Sequence, residues 1–251
     1  MEALRVEKLS KSFKGVTALT NVSLNIGVGE RTAIIGPNGA GKTTFINLVS
    51  GVLRPSSGEI HIFGAEVTNV PLHQRPHFGV ARSFQRNTLF FDLTLLENAL
   101  LALQGTRLSC LEMLRTSAFP ENLVAEAQKL LEPVGLWEKR NVPAKALSHG
   151  EQRELEIILS IASGGRLLLL DEPSAGLALV EIATLIDLIQ NLPRDVTVMF
   201  SAHDLELVFS LAERIMILNY GQLVTEGTPE EVRVDARARE IYLGGYASQD
   251  A

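Results

Sequence analysis

One stretch of the sequence constrains the fold more than any other, because it requires a strand before it and a helix after it. Residues Gly36–Thr43 fit the pattern G-x-x-x-x-G-K-[ST]. They directly follow the apolar run Ala33–Ile35 and precede the helix-like stretch Thr44–Ser50. Glycines let backbone N–H groups turn toward a phosphate, and a helix N-terminus adds the positive end of its dipole. The sequence therefore predicts a phosphate loop (Gly36–Thr43) between a buried strand and a helix.

The side chains of the phosphate loop indicate how it would hold a nucleotide together with a metal ion. Lys42 supplies a positive charge for the β and γ phosphates, and the Thr43 hydroxyl is placed to reach Mg²⁺. The predicted nucleotide-binding residues of this region are Gly36, Pro37, Asn38, Gly39, Ala40, Gly41, Lys42, Thr43 and Thr44.

Two carboxylates follow a second buried strand. Asp171 and Glu172 come directly after the aliphatic run Leu167–Leu170. Because α/β sheets bind ligands at the carboxyl ends of their strands, we expect both side chains at that edge. Asp171 is predicted to enter the Mg²⁺ shell, and Glu172 is predicted to act as general base toward the attacking water. Acidic residues that end a strand are commonly solvated turn residues, so this assignment depends on the phosphate loop.

Two further polar residues follow strand-like segments. His203 lies three residues after Val196–Phe200, and we expect it to contact the γ-phosphate. Gln85 ends the segment Val80–Phe84, where one amide is placed to reach both the metal and a moving helical segment. Taken singly, each also fits an ordinary loop position. The predicted catalytic residues are Glu172, His203, Lys42 and Gln85, and the predicted metal ligands are Thr43, Gln85 and Asp171.

The order of the apolar patterns predicts an α/β fold with a P-loop NTPase-type sheet core. Leu4–Leu9 and Val22–Ile26 alternate apolar with polar residues, which predicts an antiparallel, β-rich N-terminal part. Between about Arg86 and Ala146 the apolar residues recur at helical spacing, which predicts an inserted α-helical subdomain. We predict an ATP-binding core of residues 1–85 and 147–230, a helical subdomain of residues 86–146 and a C-terminal tail of residues 231–251.

Two local signals lie toward the C-terminus. Tyr220 and Gly221 interrupt an apolar run that resumes at Gln222, which predicts a hairpin. Thr228 precedes a proline and stands three residues before Glu231, which predicts a helix start with a capping box.

A second capping box in the sequence has an additional interpretation. Ser148 stands three residues before Glu151, ahead of the helical stretch Arg153–Ala162, so a plain helix cap is predicted. A glycine-containing helix N-terminus also binds anions, and Gly150 lies in this one. One nucleotide needs one phosphate loop, so this second terminus suggests that the nucleotide lies between two subunits.

Composition excludes several classes of protein. The 251 residues are 46% hydrophobic and carry a net charge of −6, which argues against a disordered chain and against a nucleic-acid-binding surface based on overall positive charge. The aliphatic runs are far shorter than the roughly 20 residues of a membrane-spanning helix. The N-terminus lacks a secretory pattern, and Cys110 is the only cysteine. A cytoplasmic protein without an internal disulfide is predicted.

Taken in order, these motifs resemble the nucleotide-binding subunits of ABC transporters over nearly the whole chain. The motifs that carry the resemblance are Phe13, Gly36–Thr43, Gln85, Leu147–Gln152, Asp171–Glu172 and His203. The resemblance implies ATP as the nucleotide and Phe13 as the aromatic that stacks on adenine. It also implies that Gln85 faces the membrane partner, and that Ser148, His149, Gly150 and Glu151 belong to the signature that closes on the neighbouring subunit's ATP.

Within the family, several segments are similar to the importers of branched-chain amino acids. They are Arg82–Gln85, Leu89–Phe90, Leu95–Asn98, Leu155–Ile157 and Tyr242–Gly244. Ser148–Gly150 and Glu172–Gly176 are also similar to the urea and short-amide importer subunits, so the cargo stays open between the two. The resemblance implies as partners a second ATP-binding subunit, transmembrane permease subunits and, indirectly, a periplasmic or extracellular binding protein.

The chain departs from the family pattern at two places near the implied subunit interface. Ala178 and Leu179 stand where the family carries a polar residue and often a proline, and Glu151 stands where glutamine is usual. These departures leave a noncatalytic ATP-binding module as an alternative to a motor ATPase. A P-loop GTPase is disfavoured, since no Asn-Lys-x-Asp motif occurs, and a fused two-module soluble ABC protein is disfavoured by length. We expect the permease to contact the helical subdomain, for example near Arg107 or Arg115.

Overall fold

The computed structural model describes residues 1–83, 89–105 and 121–243; Gln85, Arg107, Cys110 and Arg115 lie outside these ranges. The strands are β1 Glu2–Phe13, β2 Val16–Gly27, β3 Arg31–Ile35, β4 Ser57–Ile62, β5 Ala65–Glu66, β6 Val80–Ser83, β7 Leu167–Asp171, β8 Thr197–Ser201, β9 Arg214–Asn219 and β10 Gln222–Gly227. The α-helices are α1 Lys42–Val49, α2 Leu95–Gly105, α3 Glu121–Leu131, α4 His149–Ala162, α5 Leu179–Gln190, α6 Leu205–Leu211, α7 Pro229–Val234 and the single turn α8 Ala236–Ala238.

The N-terminal strands form the predicted antiparallel sheet. Within the described residues its order is β2-β1-β4-β5, and β1 pairs with both β2 and β4. The alternating residues face the core from neighbouring strands, with Leu4 opposite Ile26 and Val6 opposite Leu24. The prediction of two strands with one exposed face is confirmed, and the strands extend several residues beyond the predicted limits.

A second sheet, the core sheet, has the order β10-β9-β3-β8-β7-β6. Its strands run parallel except β10, which pairs antiparallel with β9 through the predicted hairpin at Tyr220 and Gly221. Both turn residues have positive φ, 44° and 74°, as a tight two-residue hairpin requires. β3, β7 and β8 are buried at every residue, which explains the apolar runs Ala33–Ile35, Leu167–Leu170 and Val198–Phe200 within them.

The described part of the inserted segment contains the two α-helices α2 and α3, and turns and short 3-10 segments make up the rest. α2 and α3 pack together through Leu95, Ala99 and Leu103 on one helix and Ala127 and Leu131 on the other. The recurrence of apolar residues every three or four positions puts these side chains on one buried face of each helix. These contacts give the segment a hydrophobic cluster of its own.

Helix α4 connects the two parts of the molecule. It begins at His149, four residues before the predicted start. Leu155 is buried in the cluster of α2 and α3, whereas Ile157 and Ile158 are buried against the core sheet. A division of the chain at residue 147 therefore assigns α4 to one side although it packs on both. The proposed boundary at residue 230 likewise falls inside α7.

No α-helix in the described ranges has the length and apolar character needed to cross a bilayer.

Candidate nucleotide-binding and hydrolysis site

The candidate site lies where adjacent parallel strands of the core sheet end. β3 ends at Ile35, directly before the phosphate loop, and its neighbour β8 ends at Ser201, two residues before His203. The next strand, β7, ends at Asp171. Because these strands are parallel, their carboxyl ends share one edge, the edge that binds ligands in α/β sheets. Gln85 follows β6, the next strand in the sheet, and lies outside the described residues.

Two glycines allow the phosphate loop to pack against neighbouring strands. Gly36 has φ 151°, and a Cβ there would lie 2.1 Å from the carbonyl oxygen of Leu218 in β9. Gly41 has φ 106°, and a Cβ there would lie 2.8 Å from the carbonyl oxygen of Ala18 in β2. Any larger residue would collide with backbone at both places, so the loop requires glycine for its shape as well as for its φ angles.

Lys42 is the first residue of α1, and its side chain returns to the loop. The Nζ atom donates to the carbonyl oxygens of Gly36 at 2.7 Å and Pro37 at 3.2 Å. Burial lowers the pKa of Lys42, while the carboxylates of Glu172 and Asp171 act in the opposite direction. The ammonium group is thus held among neutral acceptors, and a phosphate oxygen would be a stronger, charged acceptor.

Several of the other predicted nucleotide contacts lie at the surface, whereas Ala40 is buried. Pro37, Asn38 and Gly39 are exposed at the loop tip, and the Thr43 side chain is exposed on the first turn of α1. Phe13 ends β1, and its exposed ring lies 5.0 Å from the Lys11 Nζ atom.

Asp171 is held by groups from two neighbouring strands. Its buried carboxylate accepts a hydrogen bond from the Ser201 hydroxyl at 2.7 Å and lies 3.5 Å from a guanidinium nitrogen of Arg82. Arg82 also donates to Asn47 of α1 and to Ser50, the residue that caps the C-terminus of α1. The carboxylate oxygen of Asp171 that faces Arg82 accepts no hydrogen bond, so its only polar contact among the described residues is this ion pair.

Glu172 and His203 form a pair at the same edge. The Nε2 atom of His203 lies 2.9 Å from a carboxylate oxygen of Glu172, and both side chains are partly exposed. Glu172 has φ 49°, an unusual conformation for a non-glycine residue, and its N–H donates to the Ser201 hydroxyl at 3.0 Å. The left-handed backbone, which costs about 1–2 kcal/mol, turns the carboxylate away from the strand and toward His203.

Two residues of this arrangement were not predicted from the sequence. Ser201 binds the carboxylate of Asp171 and the backbone N–H of Glu172, and the only signal is that it is the polar residue ending an apolar strand. Arg82 joins Asp171 to α1 across the sheet, which no local pattern indicates. Burial lowers the pKa of Arg82, and the charge of Asp171 opposes that shift.

The predicted capping box at the start of α4 is confirmed. The Ser148 hydroxyl accepts from the Glu151 N–H at 3.2 Å, and the Glu151 carboxylate accepts from the Ser148 N–H at 3.0 Å. The other oxygen of Glu151 pairs with Lys139, so its negative charge is balanced within the chain. The N–H of Gly150 donates to the carboxylate of Glu181 on α5, at 3.1 Å. His149, the first helical residue, is exposed.

The α4 terminus makes its polar contacts away from the phosphate loop. Among the described residues, no hydrogen bond or ion pair connects Ser148–Glu151 with Gly36–Thr43. Within one chain the two predicted anion-binding termini are therefore not joined by such contacts.

Comparison with protein families identifies the class to which this arrangement belongs. The family described as "ABC transporter" matches residues 19–175. A second family, described as "Branched-chain amino acid ATP-binding cassette transporter", matches residues 222–248. The chain therefore belongs to the ABC transporter family. It is an ATP-binding, ATP-hydrolysing subunit of such a transporter, as the sequence predicts.

Individual relatives align over almost the whole chain. The high-affinity branched-chain amino acid transport ATP-binding proteins LivG of Salmonella typhimurium and BraF of Pseudomonas aeruginosa are each 37% identical, over 96% of this chain and 97% of their own length. The lipopolysaccharide export system ATP-binding protein LptB of Haemophilus influenzae is 32% identical over 97% of this chain and 98% of its own length.

Solved structures share the fold. The ADP conformation of MJ1267, an ATP-binding cassette of an ABC transporter, aligns with a TM-score of 0.84 and 31% identity over 97% of this chain and 99% of its own. A dimeric, post-hydrolysis structure of the cassette MJ0796 bound to ADP and Pi aligns with a TM-score of 0.72 and 27% identity over 90% of this chain and 98% of its own. The predicted α/β class with a P-loop NTPase-type core is confirmed.

Proposed function

We propose that this subunit drives the uptake of branched-chain amino acids. The observation that carries the proposal is the match of residues 222–248 to the branched-chain family, because this segment lies outside the part matched by the general ABC family. The full-length similarity to LivG and BraF supports the same cargo. Import of urea or short amides remains the alternative to be tested.

The proposed nucleotide site uses the phosphate loop and β1. Backbone N–H groups of Gly36–Thr44 surround the phosphates, while the Lys42 ammonium exchanges its bonds to Gly36 and Pro37 for phosphate oxygens. Phe13 supplies an exposed ring for stacking on adenine.

The residues present fit Mg²⁺. The ion is commonly bound through one or two protein oxygens together with substrate phosphates, and it supplies charge neutralisation at the β and γ phosphates. Thr43 presents an exposed hydroxyl at the start of α1, and Asp171 retains one carboxylate oxygen without a hydrogen bond. We assign these two residues, with Gln85, as the metal ligands or their immediate neighbours.

Hydrolysis is assigned to Glu172 and His203. The Glu172 carboxylate accepts a proton from the attacking water, and Ser201 fixes its backbone in position. His203 pairs with one carboxylate oxygen of Glu172 and so orients that side chain, and it lies at the edge where the γ-phosphate is expected. This role as positioning residue adds to the γ-phosphate contact predicted from the sequence.

The working unit is proposed to be a dimer in which Ser148–Glu151 of one chain closes on ATP held by the other. The α4 terminus and the phosphate loop are not in polar contact within one chain, which supports a site shared between two chains. The dimeric MJ0796 cassette supports this assembly. Light scattering at saturating Mg-ATP should show dimers of the Glu172→Gln variant, in which ATP persists. If the variant stays monomeric both alone and in the presence of the permease, the proposed dimer is contradicted.

The permease is proposed to dock at the junction around Gln85 and on the helical subdomain, which places the subunit at the cytoplasmic face of the membrane. A cavity of about 370 Å³ opens between β6, α2 and α4. Its apolar wall includes Leu72 and the exposed Phe90. Charge reversals across residues 86–146, including Arg107 and Arg115, should remove permease-stimulated ATPase while sparing basal hydrolysis. A scan in which no variant separates the two activities would place the docking surface elsewhere.

Transport in proteoliposomes tests the cargo. The chain is assembled with the permease subunits and the binding protein of its transporter, and uptake of labelled leucine, isoleucine and valine is compared with uptake of urea and acetamide. ATP-dependent accumulation of the branched-chain amino acids alone is the expected result. Accumulation of urea or acetamide instead would support the alternative, and ATP binding without hydrolysis or uptake would favour a noncatalytic module.

A further inference from the structure

The N-terminus of α4 is occupied by a side chain from another helix. Glu181 lies in the first turn of α5, and its carboxylate bridges two backbone N–H groups. One oxygen accepts from Gly150 at 3.1 Å, and the other accepts from Ala178 at 2.9 Å. A negatively charged group therefore sits at the helix terminus that the sequence singles out as an anion site.

The contacts of Glu181 differ from those of Glu151 and Glu231, which also cap helices. Glu151 and Glu231 stand at the same third helical position, and each uses one oxygen to cap its own helix. The other oxygen of Glu151 pairs with the cation of Lys139. Glu181 instead directs its second oxygen to a backbone N–H of a different helix. The bridge from α5 to α4 is thus not a by-product of helix capping.

The Glu181 side chain packs directly on Gly150, so a larger residue at position 150 would displace that side chain. A Cβ on Gly150 would lie 2.8–2.9 Å from the carboxylate and side-chain carbons of Glu181. The hydrogen bonds from Ala178 and Gly150 lower the pKa of Glu181, and the Ser148 hydroxyl and His149 act in the same direction. The carboxylate is therefore charged at neutral pH, like a phosphate group.

In the free chain the leading N–H groups of α4 are largely taken. The N–H of Glu151 donates to Ser148, and the N–H of Gly150 donates to Glu181. A γ-phosphate from a neighbouring chain needs the same donors, and it cannot share the Gly150 N–H with a carboxylate of the same charge. The two anions must exchange.

We propose that the Glu181 carboxylate competes with the phosphate of ATP for the N-terminus of α4. It occupies the Gly150 N–H in the free subunit and must leave when a second subunit brings ATP to that N–H. This inference rests on the proposed shared-ATP dimer. α5 follows directly on the loop that begins at Glu172, so release of Glu181 also frees that loop from α4. Closure of the dimer is thereby linked to the segment that carries the general base.

Dimerisation of matched variants tests the exchange. Glu181→Ala removes both contacts, and Glu181→Gln removes the charge but keeps one acceptor for the Ala178 N–H. Asp187→Asn is the control, because it changes the charge equally on an exposed position of the same helix. All three are made in the Glu172→Gln background, and the ATP concentration for half-maximal dimerisation is measured by light scattering. We expect it to fall about threefold to tenfold for Glu181→Ala, less for Glu181→Gln, and not at all for the control.

A second readout follows the Gly150 amide directly. His149–Gly150 is the only His-Gly pair in the sequence, so ¹³C-carbonyl histidine with ¹⁵N-glycine labels one amide alone. The resonance of this amide should differ between the free Glu172→Gln protein and the same protein carrying Glu181→Gln. It should also shift when the Glu172→Gln protein dimerises, and it should be unchanged by Asp187→Asn.

The outcomes separate this inference from the proposed function. If dimerisation depends on ATP equally in all variants, or if Glu181→Gln leaves the Gly150 resonance unchanged, the competitor role is overturned and the ATP-bridged dimer is unaffected. Failure of every variant to associate with ATP, with permease also present, overturns the dimer and the exchange with it.

Discussion

The two helix N-termini proposed to bind phosphate differ in the groups that satisfy their backbone N–H donors. α1 begins after Gly41, which has no side chain to cap the helix. The phosphate loop in front of it carries exposed residues. α4 begins with a complete capping box and with Glu181 on Gly150. Uncapped N–H groups at a helix start are available to a ligand, whereas capped ones must first be released.

This difference indicates an order of events. The α1 terminus can accept a nucleotide by exchanging only the two carbonyl contacts of Lys42. The α4 terminus has to give up a charged partner from α5. Nucleotide binding within one chain should therefore precede, and be thermodynamically separable from, closure onto the second chain.

The largest effect is expected for a substitution that separates ATP hydrolysis from ATP binding and from dimerisation. Glu172→Gln retains the side-chain shape next to His203 but cannot accept the proton from water. We expect ATP hydrolysis to fall about 10²- to 10⁴-fold with nucleotide affinity unchanged. Steady-state phosphate release and fluorescent-nucleotide binding check the two quantities. Hydrolysis near the parent rate would contradict the assignment of Glu172 as general base.

The next largest effect concerns the α1 terminus alone. Lys42→Ala removes the charged contact to the phosphates, so ATP affinity should weaken about tenfold to hundredfold. Lys145→Ala provides a control at an exposed lysine paired with Asp92. Equilibrium binding of ATP in the two variants is compared. Equal affinities would mean that Lys42 does not contact the phosphates.

A pair of matched caps tests whether α4 has a second role. Ser148→Ala and Thr228→Ala each remove a hydroxyl from a capping box, and each should lower the free energy of unfolding by about 1 kcal/mol in urea. Only Ser148→Ala should also raise the ATP concentration needed for dimerisation. If both variants change dimerisation equally, the Ser148 hydroxyl acts as a helix cap and nothing more.

The smallest effect is expected at α5. Ala178 occupies the N-cap position with extended backbone, φ −74° and ψ 158°, but has no side-chain acceptor. Ala178→Asn should supply one and raise the free energy of unfolding by about 0.5–1 kcal/mol. Urea unfolding monitored by circular dichroism measures it. A loss of stability would show that the α5 start does not tolerate an N-cap side chain.

The sequence predicts those features that depend on neighbours along the chain. The phosphate loop, both capping boxes and the hairpin at Tyr220 have signatures a few residues long, and the structure contains each of them. Contacts between distant segments had no such signature. Ser201 lies 30 residues from Asp171, and Glu181 lies 31 residues from Gly150. Their pairing depends on strand order and helix packing, which local patterns do not encode.

The burial of α4 on both sides has a mechanical consequence. A 14-residue helix is about 21 Å long, and one buried in two clusters cannot bend locally without breaking contacts in either. A displacement of Ser148 would therefore move α4 as a rigid body and shift the turn at Gly164 and Gly165, which leads into β7. Gly164 has φ 83°, and a Cβ on Gly165 would lie 2.5 Å from the Ser160 carbonyl oxygen. The far end of α4 therefore lies beside β7, the strand that ends at Asp171, so one rigid helix connects the proposed signature with the proposed metal ligand.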